Sequence, residues 1–266
     1  MYGPEQRVYG PEWVGETGRM PTDALLDRFL AGLLPLDPVA VWAHGSLGAG
    51  DYQEGRSDLD LIAVLPRPAT ARTAWRLGLL HARLRDAPLA GLLHCTYLSP
   101  DTVADPARRH LTWAHEQLFK RSVTPVTRRE LHSFGRVLHG AAPDHLLPPV
   151  PDPELDSFVV RDQREFWRPN VRRAELWRQD VWVDLGLITF ARATVTLREG
   201  RLITKREALA ELPALGAPAE VVEDVAERRY GNGARPPATA DWTARRAELT
   251  RSYLGPAIDT LVASYS

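Results

Sequence analysis

Four residues of the sequence VWAHGSLGAGDYQEGRSDLDLIAVL, Val41 to Leu65, have types and spacing suited to phosphate chemistry. Gly45-Ser46 closes one apolar run and Asp58-x-Asp60 heads the next, with eleven residues between Ser46 and Asp58. A small residue at a turn lets backbone N–H groups come close to an anion, and Ser46 adds a hydroxyl donor. A helix starting there would favour phosphate further. Asp58 and Asp60 alternate along a strand, so both carboxylates point to one face while Leu59 and Leu61 point to the other. Two adjacent carboxylates repel unless a cation lies between them. Mg2+ prefers such oxygens and also bridges phosphates. A phosphate cradle facing a metal-binding acid pair suits phosphoryl or nucleotidyl transfer. The plain alternative is a Gly-Ser turn and an exposed strand start.

These residues need elements to hold them. Thr22-Asp23 offers a helix cap before ALLDRFLAGLL, which has helical apolar spacing and ends at Pro35 and Pro38. Val39 to Ala43 and Leu59 to Leu65 read as neighbouring strands, with a loop or short helix between them. Thr70 to Arg85 reads as a helix with Trp75, Leu79, Leu80 and Leu84 on its buried side. Gly91 to Leu98 reads as a third strand. Arg128 to His139 is a helical candidate, and the proline-crowded HGAAPDHLLPPVPDPELD resembles a linker. Beyond it, Asp156 to Arg178, Asp180 to Arg198, Thr204 to Leu212, Pro218 to Arg229 and Ala240 to Ser264 read as helices. The expected fold class is α+β: a small mixed-sheet domain over residues 1–149, with a leading helix, then a helical bundle over 150–266.

Composition narrows the partners. The chain has 266 residues, 44% of them hydrophobic and 25% charged, as in soluble globular proteins. A net charge of −1 gives no global field to recruit nucleic acid or an acidic membrane. An anionic ligand must therefore be held locally. One cysteine, Cys95, permits neither a disulfide framework nor a Cys-rich zinc site within one chain. The first twenty residues are punctuated by Gly and Pro, read as irregular, and lack the apolar core of a signal peptide. The longest apolar stretch is broken by Asp184 and Arg192, so it is too polar to span a membrane. A cytoplasmic protein is expected. GSLGAG lacks the Lys-Ser/Thr of a P-loop and the spacing of a dinucleotide fingerprint.

The pattern Gly45-Ser46…Asp58-x-Asp60, between two strands, resembles the nucleotidyltransferase superfamily of the polymerase-β type. With the C-terminal helices, the chain further resembles the bacterial aminoglycoside adenylyltransferases of the streptomycin/spectinomycin type. In LITFARATVTLREGRLITKREALAEL, Arg192 and Lys205 fall on that group's Arg and Lys, and Tyr230-Gly231 matches its later Tyr-Gly pair. The resemblance implies transfer of AMP from ATP to a hydroxyl of a small molecule, an aminoglycoside or aminocyclitol-like amine. It implies Mg2+ on Asp58 and Asp60, and phosphate on Gly45 and Ser46. Arg192, Lys205 and Tyr230 would then reach ATP from the second domain. Taken singly, Arg192 reads equally as a helix-surface ion pair and Lys205 as a solvated first-turn lysine.

The resemblance also implies an acceptor side. Trp113 matches a Trp beside the aminosugar, where an aromatic face stacks on a sugar or attracts a cation. A core Trp is the alternative. Glu116 lies nearby and reads as a solvated helix residue. Asp180 and Asp184, four apart on one helix face, could hold an ammonium group or pair with an arginine such as Arg178 or Arg192. The group's third carboxylate, the base on a later strand, is replaced here by His94. Three readings of His94 stand open: the base of an active variant, a bystander to a reaction needing no strong base, or the mark of a relative that binds nucleotide or antibiotic without transfer. A buried, hydrogen-bonded histidine is the structural alternative.

Overall fold

The structure is a computed structural model, and it describes residues 20–103, 105, 107–232 and 238–265. The irregular stretch expected over residues 1–19 lies outside the described residues. The first helix, α1 (Pro21–Leu33), buries Leu25, Leu26, Phe29 and Leu33, the residues its apolar spacing puts on one side. Its cap differs from expectation. Met20 is the N-cap and Pro21 takes the first turn, where its missing N–H costs nothing. Thr22 instead donates its hydroxyl to Glu54 at 2.6 Å.

Six strands form one sheet in the order β5-β4-β3-β2-β1-β6. They are β1 (Ala40–Ala43), β2 (Leu59–Val64), β3 (Leu93–Leu98), β4 (Arg109–Ala114), β5 (Gln117–Ser122) and β6 (Arg136–Gly140). Between β1 and β2 lies the single turn α2 (Gly45–Gly48). Only β2 and β3 run parallel, as the crossover through α3 (Ala71–Leu84) requires. Helix α3 is capped by Thr70. It buries Leu77, Leu80, His81 and Leu84, while Trp75, expected inside, is 65% exposed.

Three strands differ from the sequence reading or were absent from it. Residues around Trp113 and Glu116 form the β4–β5 hairpin, not a helix, with His115 and Glu116 both at positive φ in its turn. The stretch 128–139 splits into α4 (Pro125–Phe134) and β6. Gly135 ends the helix, and a Cβ there would lie 2.4 Å from the Leu131 carbonyl oxygen. The strand that follows pairs with β1.

Each sheet face has its own core. Leu59, Leu61, Cys95 and Tyr97 pack with α1 and α3 on one face. Trp42, Ile62, Val64, Leu98 and Leu131 pack on the other. A third core joins the C-terminal helices α5 (Asp152–Asp162), α6 (Arg168–Val171), α7 (Asp180–Glu199), α8 (Lys205–Glu211), α9 (Ala219–Tyr230) and α10 (Ala240–Ser264). The helix expected over 156–178 is interrupted. A π turn at Gln163–Trp167 precedes Pro169, which has no N–H to donate four residues back. The fold is α+β, a mixed sheet followed by helices.

Candidate active site

The site begins where β1 ends. His44 is extended, its N–H donates to the Asp60 carbonyl at 2.9 Å, and the chain then turns at Gly45 with φ +58°. A Cβ at Gly45 would stand 2.9 Å from the Asp60 carboxylate, so glycine is needed both for the turn and for the close approach. Ser46 follows in α2. Asp60 shares a sheet face with Ile62, and Leu59 and Leu61 enter the opposite core, as strand alternation predicts. The Asp58 and Asp60 side chains remain 49% and 28% exposed.

His94 pairs in register with Asp60 on the parallel neighbour β3. Its ring reaches both acids, with Nδ1 3.6 Å from Asp60 and Nε2 4.0 Å from Asp58. The residue is buried, and Nε2 has no hydrogen-bond partner. The His115 ring meets it edge-on at 4.7 Å. Burial pushes the Asp60 carboxyl up. The His94 ring and the charges of His44 and Lys205 more than offset this and hold it at about 2. The acid is therefore ionised at neutral pH.

From the helical side, Lys205 and Arg192 face the same space. Burial depresses the Lys205 ammonium, helped by nearby Arg229, while Asp60 and Asp58 work in the opposite direction. Gly45, Ser46, Asp60, Glu130, Arg192 and Lys205 line one hollow of about 250 Å3. Arg192 donates to the Ile203 carbonyl at 2.9 Å and to Glu130 at 2.7 Å. Glu130 also accepts from His44 at 3.2 Å. Burial raises the Glu130 carboxyl, but His44 and Arg192 outweigh burial and lower it. Tyr230 stands at the hollow's edge, donating to Asp51 at 2.8 Å, with the Arg206 guanidinium 3.8 Å above its ring.

The structure thus brings together Gly45, Ser46, Asp58, Asp60, His94, Arg192, Lys205 and Tyr230. It does not bring Trp113, Asp180 or Asp184 to them. Trp113 opposes Cys95 across β3–β4, so it points to the α1–α3 side of the sheet, where it stacks on His81 at 4.3 Å. Asp180 is bound by Arg246 and Asp184 by Arg228, not by Arg178 or Arg192. Glu116 sits exposed in the hairpin turn. Sequence reasoning missed His44, Asp51 and Glu130. Only His44 carried a signal, its place directly before Gly45.

Among the described residues, no group of three His, Cys, Asp or Glu side chains has metal-binding geometry. Mg2+ does not need one. It binds through one or two carboxylates and completes its shell with substrate phosphates and water. The partly exposed Asp58–Asp60 pair beside a cationic hollow fits that demand.

No protein-family model matches the chain, and no curated protein matches its sequence. Among solved structures, the fold is similar to that of the spectinomycin adenyltransferase AAD(9) from Enterococcus faecialis, determined with ATP and spectinomycin. The TM-score is 0.66 at 18% identity, over 89% of this chain and 98% of the other. The likeness is one of fold, and it extends through both the sheet and the helices. Among the described residues, no helix is long and apolar enough to cross a membrane.

Proposed function

We propose that this chain transfers AMP from ATP, with Mg2+, to a hydroxyl group of a small molecule. One observation carries the reading: Asp60, with half-exposed Asp58 beside it, and two cations, Arg192 and Lys205, converge on the hollow that the Gly45-Ser46 turn opens. The acceptor oxygen forms a bond to the α-phosphorus. The bond from that phosphorus to the α–β bridging oxygen breaks, and pyrophosphate leaves with the electron pair.

The residues divide the work. Ser46 and the adjacent backbone amides hold phosphate oxygens, as amides at a tight turn do. Lys205 and Arg192 meet the triphosphate charge with charge-assisted hydrogen bonds. Arg192 exchanges part of its Glu130 pairing to do so. Tyr230 through its hydroxyl and Arg206 through its backbone N–H at 3.1 Å both bind Asp51 and so hold the helical wall against the sheet. Asp58 and Asp60 would hold Mg2+, which offsets charge on the reacting phosphate when bound. His94, beside both acids, is placed to take the hydroxyl proton.

The fold likeness supports an aminoglycoside or aminocyclitol-like acceptor. The reaction belongs in the cytoplasm, where ATP and Mg2+ are supplied, and the near-neutral charge argues against nucleic acid as a partner. The buried His94 in place of a third carboxylate favours a second reading, a relative that binds nucleotide or antibiotic without transfer. Mass spectrometry after incubation with Mg-ATP and a panel of hydroxylated amines and polyols separates the two. The enzyme reading expects an AMP adduct with wild type and none with Asp58→Ala. An adduct with His94→Glu alone, while wild type only binds ATP, supports the second reading.

A further inference from the structure

A second hollow, of about 220 Å3, meets the first at Asp60 and Thr127. Its walls include His44, Asp60, Thr96, Arg121, Thr124 and Thr127. The first hollow holds Ser46, Arg192 and Lys205 and so suits the triphosphate. The second touches the same Asp60 and is free for the acceptor.

Its chemistry is wrong for a polyamine. Among the described residues Asp60 is the only acid in its lining, and it is one of the two that would hold Mg2+. Asp180 and Asp184, the acids expected to receive ammonium groups, are held by Arg246 and Arg228. The walls offer a cation and hydroxyls instead. Arg121 opposes His110 in the β4–β5 register, and no carboxylate among the described residues lies within ion-pair distance of it. His44 already pairs with Glu130. The ten-residue helix α4 begins at this wall, capped by Thr124, so its positive end adds to the Arg121 charge.

We infer that this second hollow is the acceptor subsite, and that it takes a polyol bearing a carboxylate or phosphate, with Arg121 holding the anion. The inference rests on the AMP-transfer reading and replaces the amine acceptor, which the fold likeness alone supports. An acceptor hydroxyl loses its proton, its oxygen bonds the α-phosphorus of ATP, and pyrophosphate departs. Arg121 takes no part in the bond changes and decides which molecule is seated. The hydroxyls of Thr96, Thr124 and Thr127 face the polyol.

The test measures binding to the full chain by calorimetry, with Mg2+ and a non-hydrolysable ATP analogue present. The probes are gluconate, glucose 6-phosphate, glucose and spectinomycin. Gluconate and glucose 6-phosphate separate carboxylate from phosphate preference. The expected result is that an anionic probe binds at least about tenfold more tightly than glucose, in keeping with a charge-assisted contact. Arg121→Glu should abolish that margin and leave the melting temperature and analogue affinity unchanged. Three results would overturn the inference: tighter binding of spectinomycin, an anion affinity indifferent to Arg121→Glu, or no binding by any probe.

Labelled ATP then separates the two layers. AMP transfer to spectinomycin but to no anionic polyol overturns the acceptor class and leaves the reaction standing. Arg121-dependent anion binding with no AMP transfer to any probe overturns the reaction, and the acceptor assignment with it.

Discussion

Asp224 in the helical bundle and Asp58 at the head of β2 are both aspartates near basic side chains, and their surroundings are opposite. Asp224 accepts from Arg228, from Arg246 at 3.1 Å and from the Trp242 indole at 3.1 Å. Asp180 and Asp184 complete this network. Arg246 is fully buried. Asp58, by contrast, is half exposed, and His94 at 4.0 Å is its nearest basic neighbour among the ion pairs. The same chemistry is saturated in one region and left open in the other. Saturated acids position helices, whereas open acids are positioned for something that arrives. That contrast explains why Asp180 and Asp184, sound candidates by residue type, do not belong to the cleft.

The largest expected effect separates the regions by function. Asp60→Asn should lower AMP transfer about 10^3-fold, the several kcal/mol that a metal-binding charge contributes to such a transition state. Its thermal midpoint should fall only modestly, because the basic groups that hold this carboxyl low lose one acid but keep Asp58 beside them. Calorimetry together with a steady-state assay checks both. Asp224→Ala should do the reverse. It takes one of two acid partners from each of Arg246 and Arg228, leaving Asp180 and Asp184, at a cost of about 3 kcal/mol in stability by denaturant titration. The surviving folded protein should transfer at the wild-type rate. A loss of turnover in Asp224→Ala without a loss of stability would break the comparison.

Arg192→Ala lies between these extremes. Arg192 bridges the regions through Glu130 and also faces the nucleotide hollow. About a tenfold rise in the KM for ATP is expected, with a smaller fall in kcat, as for loss of one charged hydrogen bond. The smallest effect sharpens the comparison with a third kind of site. His81 is buried against Trp113 and lies 2.6 Å from the Tyr97 hydroxyl, and burial depresses its ring to about 3. The unfolded chain takes up a proton near pH 6.5 that the folded chain refuses. Stability from this group is therefore full above that pH and falls on acidification toward pH 3, by up to ~1.4 kcal/mol per pH unit. His81→Phe should flatten the urea midpoint between pH 6.5 and 5, although it also strands the Tyr97 hydroxyl.

Much of the site was legible because its signals are local. The turn at Gly45-Ser46 and the alternation through Asp60 follow from spacing within a few residues, whereas Arg192 and Lys205 stand out only through the family resemblance, and packing of the helices brings them to the hollow. His94 stands out in the sequence only through the resemblance, at the place of the group's third carboxylate, and the parallel register of β2 and β3 is what sets it beside Asp60. The β4–β5 hairpin was hidden because His115 and Glu116 occupy turn positions that usually call for Gly or Asn. Missing that hairpin left the side of the sheet for Trp113 undecided, since register with Cys95 sets it. The partners of Asp180 and Asp184 were invisible for another reason. Arg246 and Arg228 lie on helices far along the chain, and only packing of the bundle selects them.

The most direct test of the account follows a phosphorus label from ATP. Two preparations, labelled at the α or the γ position, are incubated with Mg2+, an acceptor panel, and either wild type or Asp60→Asn. The α label should enter an acceptor and the γ label leave as pyrophosphate, both about 10^3-fold more slowly with Asp60→Asn. Transfer of the γ label, or transfer by Asp60→Asn at the wild-type rate, would contradict this.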